Sequence, residues 1–210
     1  MIRVLITGFG PYQEERDNPS GSIAESLDGT TVGPVSFSGC VLPVSARTAP
    51  KLLQRAIEEC SPEVVLVTGV TPARERPALE RVAINLTDYP IPDVDGFVAI
   101  DSPILAGAPA AYFSTLPIKA ILANWRAAGI GGYVSNSAGT YLCNQLFYLA
   151  QHLTANTPSL SGLVHLPLPR SEPADAHLPL ELLEDAVRRA AVVAATHVGP
   201  DLVLGAGSTS

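Results

Sequence analysis

Ile2-Arg3-Val4-Leu5-Ile6-Thr7-Gly8-Phe9-Gly10 is a short apolar run that stops at two glycines, and its reading decides the fold. The run is too short for the hydrophobic region of a secretory leader, and the glycines close it as a turn would. Residues 2–7 therefore read as a buried first strand. Working outward, Val64-Val65-Leu66-Val67 and Leu163-Val164-His165-Leu166 are further apolar runs of strand length. Val35 to Val44 reads as a strand with Pro43 near its end, Tyr133-Val134 as a short one, and Arg81 to Leu86 alternates as a strand does. Helical patterns fall between them. One follows Asn18-Pro19-Ser20 and covers Ile23, Ala24 and Leu27, and another spans 48–60 through Leu52, Leu53, Ala56 and Ile57. Pro117 opens a third that runs through Trp125 and ends at Gly129. Residues 139–153 and 179–196 complete the set. Strands alternating with helices predict an α/β sheet covered on both faces.

The 210 residues suit one domain, 1–210, and Pro167 to Pro179 reads as a loop within it. Apolar residues make up 47% and charged residues 16%, which excludes a disordered chain. A net charge of -7 argues against binding a nucleic-acid backbone. No apolar run reaches the 18 or so residues of a membrane span. Cys40, Cys60 and Cys143 are odd in number and have no CxxC spacing, which fits a reducing cytoplasm and neither a zinc ribbon nor a disulfide framework. The four histidines are dispersed, so no metal site is expected. Asn85-Leu86-Thr87 is read as a chance match to the glycosylation sequon. The phosphate-loop, GxSxG and HExxH signatures are absent. Gly8-Phe9-Gly10 fails as a dinucleotide fingerprint because the third glycine position holds Gln13.

What remains is a cysteine, a histidine and a carboxylate. Cys143 follows Asn136-Ser137-Ala138-Gly139-Thr140-Tyr141-Leu142, in which Asn136 and Ser137 are natural N-caps. That places the thiol in the early turns of a helix, where free N–H groups and the positive dipole end favour a thiolate. The plain alternative is a buried cysteine acting as a small hydrophobe. His165 near the end of an apolar strand is placed to project into a cleft as an acid–base group, or to bond the backbone as an ordinary strand-end histidine. Glu80 is able to orient that imidazole, or to form a solvated pair with neighbouring arginines. His152, His177 and His197 are weaker candidates.

Five blocks in order resemble the type I pyroglutamyl peptidase, or pyrrolidone carboxyl peptidase, family over nearly the whole chain. They are TGFGPY followed by DNPS, ERVAIN after Leu79, GAPAAYFSTLPIK from Gly107 to Lys119, SNSAGTYLCN, and GLVHLPLP. The resemblance implies a three-layer α/β/α sandwich with a mixed twisted sheet, of the phosphorylase/hydrolase type. It also implies a cytoplasmic thiol exopeptidase without a cofactor, assembled as a homo-oligomer (tetramer or dimer). Its substrates would be peptides with an N-terminal pyroglutamate. It assigns the nucleophile to Cys143, the base to His165 and its partner to Glu80. It assigns the lactam pocket to Phe9, Tyr12, Asn18, Val70 and Leu142, the last two through their backbone. The chain departs from the pattern at Pro72-Ala73-Arg74, where one glycine of a pair is lost, and in the loop Glu75-Arg76-Pro77-Ala78. It departs again at Pro90, where the family commonly carries an arginine ten positions after the glutamate. Arg74 or Arg76 would then have to supply that cation. The alternatives are a weakly active or non-catalytic relative, and a cysteine amidohydrolase acting on another small lactam or amide.

Overall fold

The computed structural model describes residues 1–12, 18–169 and 178–207. His177 and most of the Pro167–Pro179 loop lie outside them. Nine strands and five helices are formed within these residues: β1 (Ile2–Phe9), α1 (Pro19–Leu27), β2 (Thr31–Val32), β3 (Val35–Leu42), α2 (Thr48–Cys60), β4 (Val64–Val70), β5 (Ala78–Glu80), β6 (Val82–Ile84), β7 (Ala111–Phe113), α3 (Ile118–Ala127), β8 (Tyr133–Ser135), α4 (Leu142–Thr154), β9 (Leu160–Leu166) and α5 (Leu180–Thr196). Seven strands make one mixed sheet in the order β2-β3-β1-β4-β9-β5-β8. The central four, β3, β1, β4 and β9, run parallel, while β2 and β5 run against β3 and β9. The apolar runs are consecutive because both faces of these strands are covered. Val4, Ile6, Val64, Leu66, Val164 and Leu166 pack with α1, α3 and α5 on one face. Leu5, Val65, Val67 and Leu163 pack with α2 and α4 on the other. This is the expected α/β/α sandwich.

Two expectations need correction. Residues 139–153 are not one helix, and Asn136 and Ser137 do not cap it. Gly139 has φ 74°, a left-handed conformation that stops a helix, and α4 begins at Leu142 behind an extended Tyr141. Nor is Arg81 to Leu86 a single strand of the main sheet. Ala78–Glu80 enters the sheet beside β9, whereas Val82–Ile84 leaves it to pair with β7 in a separate two-stranded ribbon.

Candidate active site

The ends of the central strands build the site. Phe9 closes β1, while Gly69 and His165 are paired one residue before the ends of β4 and β9. By the alternation of each strand, His165 and Gly69 face the layer holding α2 and α4. Cys143 packs into the same layer. Its register pins it there: a Cβ added to Gly69 would stand 2.6 Å from Cys143 Sγ and 3.5 Å from the Phe9 ring. Gly69 thus leaves the space in which the thiol sits beside His165 and Phe9, a use of glycine that follows from close approach across a strand.

With the helix start corrected, Cys143 is the second residue of α4. The cap residue Tyr141 makes no side-chain capping bond, and the first helical N–H with a backbone partner is that of Gln145, donating to Tyr141 O at 3.1 Å. Among the described residues, the N–H groups of Leu142, Cys143 and Asn144 are left for a ligand, which is the arrangement that binds anions at a helix start. Asn144 anchors this turn. Its side chain accepts from Ile84 N at 3.0 Å and donates to Ile84 O and Leu86 O at 2.9 and 3.0 Å, tying α4 to β6.

His165 is buried, and its Nδ1 lies 2.7 Å from Glu80 Oε1. Burial opposes its charge. The Cys143 thiol on one side and the Glu80 carboxylate on the other outweigh that and push its pKa up to about 9. The imidazole therefore stands hydrogen-bonded between cysteine and carboxylate. Glu80 does not form the solvated pair with adjacent arginines that its neighbourhood in the chain offered. Its side chain is fully buried and pairs with Arg74 at 2.6 Å, while Arg81 turns away to Asn136. The other histidines stand elsewhere, His152 against the Tyr112 hydroxyl and His197 against Pro200 O.

Aromatic rings close the cluster on the other side. The Tyr12 and Tyr141 hydroxyls both donate to Pro92 O, and the Tyr141 ring centroid lies 4.6 Å from that of Tyr89. Burial first, then the nearby Asp93 and Cys143, raises the pKa of Tyr89; burial and the Tyr12 contact raise that of Tyr141. Both hydroxyls stay neutral. Asn18 caps α1: its Oδ1 accepts from Ser20 N and Oγ, and its Nδ2 donates to Gly10 O at 3.3 Å. Val70 and Leu142 direct their side chains into the two cores, so only their backbones are available to the site.

The departures from the family pattern also find their places. Pro90 is exposed within the Tyr89–Pro92 strap. Arg74 is bound to Glu80, Tyr133, Ser135 and Ser137, and Arg76 lies over the Tyr133 ring, 5.5 Å from its centroid. Gly69, Tyr89, Tyr141, Asn144 and the Arg74 contact to Glu80 were not singled out from sequence. A glycine interrupting the apolar run Val64 to Val70 was a readable signal for the first; the others depend on partners far away in the chain. Among the described residues no group of three or more His, Cys, Asp or Glu is arranged to hold a metal ion, and no helix is long and apolar enough to cross a membrane.

A sheet covered on both faces, with cysteine, histidine and carboxylate gathered at the ends of its parallel strands, defines a cysteine peptidase of the α/β class. The family model for pyroglutamyl peptidase matches residues 2–198. The pyrrolidone-carboxylate peptidase of Pseudomonas fluorescens is 41% identical over 99% of both chains. That of Pyrococcus furiosus is 44% identical over 79% of this chain and 81% of its own. The solved structure of pyrrolidone carboxyl peptidase from Thermococcus litoralis superposes with a TM-score of 0.93 at 34% identity, covering 98% of this chain and all of that one. The chain belongs to the pyroglutamyl peptidase family.

Proposed function

We propose that the chain is an exopeptidase that releases an N-terminal pyroglutamyl residue from peptides through a thioester on Cys143. The observation that carries this reading is the line Cys143–His165–Glu80, with His165 Nδ1 2.7 Å from Glu80 Oε1 and the thiol at the uncapped start of α4. The Cys143 thiolate attacks the pyroglutamyl carbonyl, and the first-turn N–H groups of α4 receive the developing oxyanion. His165 passes its proton to the departing amine, then takes one from the water that opens the thioester. Glu80 holds the ring in the tautomer that keeps Nε2 toward the thiol.

The substrate side of this reading is a neutral slot. Phe9, Tyr12 and the backbone of Leu142 and Val70 surround the lactam, and Asn18 offers the Nδ2 proton that Gly10 does not take. A pyroglutamyl group has no ammonium. An ordinary N-terminus would have to lose its hydration in such a slot without gaining a counter-charge, which excludes it. The whole of 1–210 then works as one domain. The cysteine usage supports a reducing cytoplasm; the homo-oligomer and the absence of a cofactor are carried by the family resemblance alone.

The second reading, a relative that binds without turnover, rests on Pro90. Hydrolysis of a fluorogenic pyroglutamyl amide separates the two. The expected result is turnover by the parent, its loss in Cys143→Ser with the fold retained, and faster iodoacetamide labelling of Cys143 than of Cys40 or Cys60. A folded parent that leaves the amide intact, or a Cys143→Ser variant that still cleaves it, overturns the assignment.

A further inference from the structure

Glu80 is placed unusually for a carboxylate that has to steady an imidazolium. Its side chain is 0% exposed, Oε1 carries both His165 Nδ1 and Arg74, and Oε2 has no partner among the described residues. A buried carboxylate that rests on one imidazole through one oxygen is free to swing its other oxygen toward the ring. Arg74 opposes that by holding Oε1 from a second side. One of its terminal nitrogens lies 2.6 Å from Oε1 and also donates to Ser135 Oγ at 3.2 Å and Ser137 O at 3.1 Å. The other donates to the Tyr133 hydroxyl at 2.7 Å, and the guanidinium carbon lies 5.6 Å from the centre of that ring. Both terminal nitrogens are therefore tied to β8 or to the turn after it. Ser137 belongs to the turn that leads through Gly139 and Tyr141 into Cys143, so one side chain spans the acid and the approach to the nucleophile.

We propose that Arg74 is a positioning residue for the peptidase reaction: it fixes Glu80 Oε1 in line with His165 and couples it to the turn that sets the start of α4. The inference rests on the peptidase reading above. A planar fork with several donors is needed for it, because four acceptors, Glu80, Tyr133, Ser135 and Ser137, are reached from one guanidinium; a lysine ammonium would reach Glu80 but not hold the rest.

The test uses Arg74→Ala and Arg74→Lys in the full chain, with thermal melts to establish that each is folded. In Arg74→Ala, kcat on a pyroglutamyl amide is expected to fall about a hundredfold, the cost of an ångström-scale misplacement, with KM nearly unchanged. Ethylguanidinium added to the solution should restore part of that loss. Arg74→Lys should fall between. A substrate-free measurement runs beside these: the downfield proton resonance of His165 Nδ1–H, present in the parent, should be lost or broadened in Arg74→Ala and kept in Arg74→Lys. If Arg74→Ala does not fold, Arg74→Lys decides the matter by its reduced kcat. A parent without turnover overturns the peptidase reading while the resonance still tests the positioning. Parent-like kcat and resonance in a folded variant, or a rise in KM with kcat unchanged, overturns the role given to Arg74.

Discussion

At the scale of single residues, the site depends on one missing side chain and one retained proton. Gly69 has no Cβ, and the Cys143 sulfur occupies the space where one would be, 2.6 Å from its ideal position. Gly69→Ala is expected to push the thiol away from His165 and lower kcat/KM about a hundredfold or more, with little loss of stability because the residue lies near a strand end. Progress curves of the variant, read beside its melting temperature, check this. The proton is that of His165. Its pKa of about 9 keeps the imidazolium through neutral pH, so the acid needed by the leaving amine is present below that value and vanishes above it. The kcat/KM profile is expected to hold through neutrality and fall on the alkaline side near pH 9. A fall that begins near pH 6.5, the value of an unperturbed imidazole, would mean that the thiol and carboxylate do not hold the charge.

At the scale of elements, what was legible in the sequence follows how much of each element's pattern is local. Helix α2 was read to its ends because Leu52, Leu53, Ala56 and Ile57 repeat at helical spacing. Strands β1, β4 and β9 were plain because a run buried on both faces is apolar at most of its positions. Strands β2, β5 and β7 have two or three residues each and owe their existence to a neighbour, so no periodicity announces them. The start of α4 was misread because good capping residues stand at 136 and 137, whereas the left-handed Gly139 decides the matter. The contact of Arg74 with Glu80 was not legible for a similar reason: their six-residue separation says nothing until β5 carries the carboxylate underneath the guanidinium. The residues of the candidate site were legible mainly through the family resemblance, since the distances between them are set by the sheet. The Tyr89–Pro92 strap supplies the prediction at this scale. It lies against Tyr12 and Tyr141 and presents Pro90 where the family commonly has a cation. Pro90→Arg is expected to raise kcat, by at most the roughly hundredfold to thousandfold that one oxyanion donor is worth. Unchanged turnover would show that the N–H groups of α4 suffice.

At the scale of the whole molecule, the sheet divides the interior into two cores, and only one of them touches the chemistry. Ile121 is buried with α3 and α5 on the far face, and Leu146 is buried with α4 on the near face. Ile121→Ala and Leu146→Ala are each expected to cost about 2–5 kcal/mol of stability. Their kinetics should part company. Ile121→Ala should leave kcat alone at temperatures where it is folded, whereas Leu146→Ala lets the first turn of α4 relax and lowers kcat. Denaturant melts and initial rates measured on the same samples check the pair, and equal kcat losses in both would mean that the faces are not separable.

The position of β9 has a further consequence, for synthesis rather than for catalysis. It is the last strand of the sheet to leave the ribosome, yet it lies between β4 and β5 and carries His165. Until Leu160–Leu166 has emerged, β4 has an open hydrogen-bonding edge, and the β5–β8 pair has no strand to link it to the rest of the sheet. A nascent chain holding more than three-quarters of the residues is therefore an incomplete sheet with an adhesive margin, prone to pairing with its neighbours on a polysome. Closing the gap with a strand inserted late, between partners far away in the chain, is a slow kind of folding step. The same insertion delivers the imidazole to the thiol, so the reactive pair comes into being only once the last strand of the sheet is in place.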